Sequence, residues 1–206
     1  IVLEIITPIK PASNIRLYWR ARVYDYFDPQ DRGWEITNAS TKTISPDNPI
    51  LNIPLLDSRW NAEFIVTVGS PLSILYTALQ PISVSRPADF KVSQNTPDET
   101  DISYIRAEEV LHTGESYSFV AQITNASIFE LRRAGKDYPS WVLDKYLQVP
   151  DSITERTIAL AHEIRGTYTN PYDITHAVTQ YLRENITYAE EVPNLPNNQD
   201  PIDWML

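Results

Sequence analysis

The hydrophobic period of this chain changes once, and that change limits the folds open to it. From Leu17 to Phe27 the run LYWRARVYDYF alternates, with Leu17, Trp19, Ala21 and Val23 on one face and Arg20, Arg22, Tyr24 and Tyr26 on the other. That is the period of a half-buried strand. Beyond Pro150, Ile153, Thr157, Leu160, Ala161, Ile164 and Tyr168 recur at helical spacing instead. A single switch around Tyr138 to Pro150 predicts a β-rich part followed by a helical part, an α+β chain rather than alternating βαβ units.

Within the first part, Asp28 to Gly33 (DPQDRG) carries turn residues and Trp34 restarts an extended run, which predicts a hairpin with a longer loop. Further strands are expected at 63–68, 73–77, 102–107 and 116–124, each bounded by Pro, Gly, Asn or Asp. Short strands between turn signals, with no helical period before about Pro139, suggest a sandwich or a strongly twisted antiparallel sheet, and an antiparallel β-sandwich-like domain is the expectation carried forward. The segment Tyr138 to Pro150 has Pro near both ends and aromatic anchors between, and reads as an ordered linker.

In the second part, Ser152-Ile-Thr-Glu155 matches a capping box and predicts a helix over about 153–168. Asn170, Pro171 and Asp173 form a second start signal. Asn caps, Pro suits the first helical position and the acid suits the helix dipole, so a helix is expected to about Asn185. Its apolar stripe is Ile174, Ala177, Val178, Tyr181 and Leu182. A short strand is expected at Ile186 to Tyr188, then a polar loop, then an ordered element starting in DPIDWML.

At 206 residues and 42% hydrophobic the chain can build a real core. Its net charge of −10 argues against nucleic acid as a partner, because phosphate binding needs a basic face. It contains no Cys, which removes disulfides, thiolate metal ligands and any cysteine nucleophile within these residues. The chain starts at Ile1 without a charged segment leading into an apolar one, and reads as a soluble piece of something longer.

Few residues invite a chemical role. His112, His162 and His176 show no metal-ligand spacing and are expected to be structural or exposed. The pairs Glu108-Glu109 and Glu190-Glu191 read as solvated acids, since neighbours in extended chain point apart. No phosphate-binding glycine loop and no serine-nucleophile motif is present. Tyr18, Tyr24 and Tyr26 could line a ligand groove, although packing against sheet neighbours is the plainer expectation. No catalytic residue, metal site or cofactor is assigned.

Four stretches taken together resemble the extracytoplasmic region of bacterial membrane-anchored transglutaminase-like proteins. They are Tyr18-Trp19-Arg20 with Val23-Tyr24-Asp25 and Gly33-Trp34; Tyr146 to Pro150 (YLQVP); Asn170-Pro-Tyr-Asp173 through Tyr181-Leu-Arg183 and Ile186-Thr-Tyr188; and Asp200-Pro-Ile-Asp-Trp204. The resemblance implies a papain-like core whose catalytic Cys opens a helix just beyond the D-P-x-D-W segment, followed by His and Asp. No residue of this chain inherits those roles, because it stops at Leu206. It further implies an accessory β-rich domain over 1–137, a linker over 138–150 and the opening helices of the core over 151–206. The expected function is a non-catalytic fragment that positions the core or shapes its cleft. The implied partner is a protein or peptide substrate of a membrane-anchored whole, on the extracytoplasmic side, and the helical part is expected to expose apolar surface that favours self-association. The alternative is a self-sufficient β-sandwich binding module on the cell surface with no enzymatic role.

Overall fold

The computed structural model describes residues 2–7, 17–46, 58–97, 99–196 and 199–206. The described strands are β1 (Leu3–Ile6), β2 (Trp19–Arg20), β3 (Tyr26–Asp28), β4 (Gly33–Glu35), β5 (Ser40–Ile44), β6 (Arg59–Val68), β7 (Leu72–Ile74), β8 (Thr77–Ala78), β9 (Gln80–Val84), β10 (Ala88–Thr96), β11 (Glu99–Leu111) and β12 (Ser116–Thr124). The helices are α1 (Ile128–Arg133), α2 (Ser140–Tyr146), α3 (Glu155–Arg165), α4 (Pro171–Asn185) and α5 (Pro201–Met205). This is the expected α+β class. Two compact units divide the chain, one formed by 1–25 and 36–125 and the other by 26–35 and 126–206. The boundary expected at residue 137 falls inside the second unit, between α1 and α2.

The first unit is built on two four-stranded antiparallel sheets, ordered β1-β6-β12-β9 and β5-β10-β11-β7. Alternation does the work in β6, where Ala62, Phe64, Val66 and Val68 turn inward and the residues between them stay outside. Phe119 of β12 lies directly across from Phe64, their rings stacked at 5.0 Å, and Trp19 meets the edge of Phe64 at 5.5 Å. Phe90, Val92, Ile102 and Ile105 come from the other sheet into the same core. The Tyr117 hydroxyl donates to the Tyr76 carbonyl at 2.7 Å, which satisfies the one polar atom this ring brings inside. Burial pushes that hydroxyl's pKa up.

The run 17–27 does not form one continuous ladder. It pairs at β2 with β8, bridges once from Arg22 to Tyr104, and ends at Asp25. Asp25 is buried and accepts from the Thr37 amide at 2.8 Å and the Thr37 hydroxyl at 3.2 Å. The two residues thereby bracket the excursion 26–35, which is the expected hairpin, β3 paired with β4. Asp28 makes its turn by accepting the Gln30 amide at 2.7 Å, and Arg32 takes a φ of 53° to close it.

The second unit departs from expectation in its details. A helix, α1, precedes Pro139, and the stretch expected to be a linker contains α2. The Ser127 side chain and Glu130 complete a capping box, whereas Ser152 lies in a turn and Thr154 caps α3 instead. Helix α4 spans the expected residues under its Asn170 cap. Ile186 is extended but 186–188 join no sheet, so the short strand expected there is not formed.

Phe119→Ala should lower the unfolding free energy of the first unit by about 3–5 kcal/mol, because the cavity opens against Phe64 and Tyr117. Val120→Ala on the opposite face of the same strand should cost under about 1 kcal/mol. Denaturant unfolding followed by Trp fluorescence reads both.

Candidate functional site

The second unit builds its helices from caps rather than from a core. None of its described residues is buried; all of the buried residues described belong to the first unit. Helix α3 lies against α4 and α5, and α1 lies against α4. On α4 the stripe Ile174, Val178 and Tyr181 is half-buried, and Leu182 is exposed.

What joins these helices is one device used twice. Asn170-Pro-Tyr-Asp173 opens α4 and Asp200-Pro-Ile-Asp203 opens α5, with Pro at the first helical position each time. The Asn170 side chain accepts the Asp173 amide at 2.9 Å and donates back to the Asp173 carboxylate at 2.6 Å. The Asp200 carboxylate accepts the amides of Ile202 and Asp203 at 2.9 and 3.0 Å. In both motifs the acid at the third helical position then reaches a neighbouring helix. Asp173 takes the Arg132 guanidinium of α1 at 3.0 Å, while that guanidinium also lies over the Tyr172 ring at 5.7 Å. Asp203 accepts the hydroxyls of Thr154 and Thr157, each at 2.8 Å, and lies 3.6 Å from Arg156, whose guanidinium donates to the Asp203 carbonyl at 2.8 Å.

This explains why Ser152 loses the cap of α3. Thr154 satisfies the Thr157 amide and Asp203 together, a pair of partners that a cap at Ser152 would forfeit. The electrostatics follow the hydrogen bonds. The Asn170 side chain, with Arg132 beside it, holds the Asp173 carboxyl below the ordinary range, and the Thr154 and Thr157 hydroxyls, with Arg156, do the same for Asp203.

The other residues weighed from sequence scatter. His112 is exposed in the β11–β12 turn, its amide donating to Glu115 at 2.6 Å; His162 and His176 are exposed on α3 and α4, the latter stacked on Tyr172. Glu108, Glu109, Glu190 and Glu191 are exposed. Tyr18 and Tyr24 are exposed on the first unit, and Tyr26 is half-buried on the hairpin. Sequence reasoning did not single out Asp28, Asp31 and Glu35, whose carboxylates gather within 4.8 Å on that hairpin. Asp28 already serves the turn there, and turn chemistry was the legible signal.

The arrangement defines a class first: an antiparallel β-sandwich unit carried with a capped, core-poor helical unit, and no cysteine among its 206 residues. The fold is similar to that of a particular solved protein, the periplasmic domain of TgpA from Pseudomonas aeruginosa, determined bound to ethylmercury. The likeness has a TM-score of 0.50 and 16% sequence identity, and covers 95% of this chain and 61% of that one. Over 65 residues, 31% of this chain, the sequence is 38% identical to the protein YebA of Bacillus subtilis (strain 168), a match spanning 9% of YebA. No protein-family model matches the chain. No helix among the described residues is long and apolar enough to cross a membrane.

Asp173 and Asp203 set a pH dependence. A carboxyl whose pKa is lowered by folding stabilises the fold above its unfolded pKa, near about 4, and that contribution is lost as pH falls through the lowered folded value. On acidification, amide signals of α3 to α5 should therefore lose dispersion before those of β6 and β12, as followed by NMR. Asp203→Asn should flatten that acid dependence while weakening α5 at neutral pH. An acid transition unchanged by the substitution would remove Asp203 from the account.

Proposed function

We propose that this chain is the extracytoplasmic, non-catalytic N-terminal part of a bacterial membrane-anchored transglutaminase-like cysteine enzyme. The observation that carries the reading is the fold likeness to a periplasmic domain along 95% of the chain, which accounts for 61% of that domain. The capped α5, formed by the D-P-x-D-W segment, supports it from the sequence side. In this reading the sandwich is an accessory domain, α3 to α5 open the catalytic core, and the thiol nucleophile with its His and Asp partners follows Leu206.

The chain's own residues would then act by positioning. Asp203 fixes α5 against α3 through Thr154, Thr157 and Arg156, so the direction in which the chain leaves α5 is set before any catalytic helix begins. A helix N-terminus beside a His partner is where a thiolate is favoured, and acyl transfer from a peptide or glutamine amide to water or an amine is the chemistry such a thiolate performs. A second reading, a surface binding module without enzymatic role, draws on the exposed Trp34 and Tyr18.

The experiment compares this chain with a product of the same gene extended past Leu206. The extended product should contain a Cys that opens the next apolar helix, and should incorporate an amine into casein, or hydrolyse it, in a manner blocked by iodoacetamide. The chain of 206 residues should do neither. An extended product without such a Cys, or with turnover indifferent to iodoacetamide, gives the function to the second reading.

A further inference from the structure

We propose that the outer face of the β5-β10-β11-β7 sheet, centred on Tyr104, docks an acidic peptide segment of a protein partner through Arg22, Lys91 and Arg106. The proposal stands whether or not the chain precedes an enzyme core.

Three features of the strands gather these residues. Phe90 and Val92 point into the core, so Lys91 between them points out; Ile105 points in, so Tyr104 and Arg106 flank it on the outside. The register pairs Lys91 with Tyr104 and Val92 with Ile102, which leaves Ser103 as a bulge that turns Tyr104 to the outer face. The Ser103 carbonyl accepts the Val23 amide at 2.8 Å, and this brings Arg22 alongside Tyr104 on the side away from Lys91. The Arg22 guanidinium lies 4.9 Å from the centre of the Tyr104 ring and that of Arg106 lies 5.9 Å from it.

The cluster is locally cationic in an acidic chain. Carboxylates outnumber Lys and Arg by 27 to 17 in the chain, so partners are plentiful. Among the described residues, however, no ion pair joins Arg22, Lys91 or Arg106 to a carboxylate. Asp89 stands across from Arg106 in the ladder, yet its carboxylate takes the Thr43 hydroxyl at 2.6 Å. An arginine stacked on a tyrosine is also held in place with its in-plane N–H groups free, the geometry that receives a carboxylate through two bonds.

The same surface favours a peptide over a membrane or a polyanion. Asp89 and Asp101 share the face and break it into discrete cationic points, and Thr41 and Thr43 occupy its margin where a bilayer-inserting surface would carry large apolar side chains. A chain of net charge −10 repels a dense polyanion at long range, whereas a short acidic segment meets the local cations inside a Debye length.

The test titrates the chain with acetylated, amidated hexaglutamate and, separately, with hexaglutamine, at low salt, following backbone amides by NMR. Hexaglutamate should shift Arg22, Lys91, Tyr104 and Arg106, added salt should reverse the shifts, and hexaglutamine should produce none. The variant R22E/K91E/R106E should bind hexaglutamate at least about ten-fold more weakly. Should that variant fail to fold, R22Q/R106Q and the mapping on the unaltered chain decide alone. Absence of shifts, shifts centred elsewhere, or equal effects of hexaglutamine would overturn the proposal. Association with phosphatidylglycerol vesicles in place of hexaglutamate would overturn it too, and would assign the face to a membrane surface.

Discussion

The carboxylates of Asp173 and Asp203 hold together a set of helices that have no buried core of their own among the described residues. Each stands at the third position of a helix opened by Asn or Asp and then Pro, and each reaches across to an arginine on another helix. Helices of 5 to 15 residues are marginal in isolation, and packing of an apolar face is the usual remedy. Here the apolar stripe of α4 is only half covered, so hydrogen-bonded caps and charge pairs carry a share of the organisation that burial carries in the sandwich.

The two units thus rest on different physics. Phe64, Phe119, Phe90 and Ile105 meet in a buried sandwich core whose stability tracks apolar area removed from water. The helical unit rests on groups that remain near water, respond to pH and leave its apolar stripe available for cover. The proposed function builds on that contrast, with the sandwich as platform and the helices as the opening part of a larger core. The platform also carries charge in an organised way, since the bulge at Ser103 gathers Arg22, Lys91 and Arg106 around one tyrosine.

Much of this was legible in the residues, and the failures have physical reasons. The strand over 116–124 and the helix over 171–185 fall where alternation and the Asn-Pro-x-Asp signal put them. Strand β9 escaped notice because Pro81 argues against a strand, and it lies at the edge of its sheet, where a missing amide is tolerated. Strand β5 is Ser- and Thr-rich and presents little apolar pattern. The chain holds the S-x-x-E signature twice; Ser127 realises it within a six-residue helix too short to show a period, while at Ser152 the partners supplied by Asp203 move the cap to Thr154. A local signature loses when a residue 49 positions away offers better hydrogen bonds. The Tyr104 cluster was invisible for a related reason, since its members come from three separate stretches that only the sheet brings together.

Native-state hydrogen exchange at neutral pH tests the central claim most directly. The account has amides of β6, β11 and β12 exchanging only through global unfolding of the sandwich, while those of α3, α4 and α5 exchange through smaller openings and far faster. Equal protection in α3 to α5 and in β12 would contradict it, because the helical unit would then be complete as it stands, and the reading of these helices as the opening of a larger core would fall.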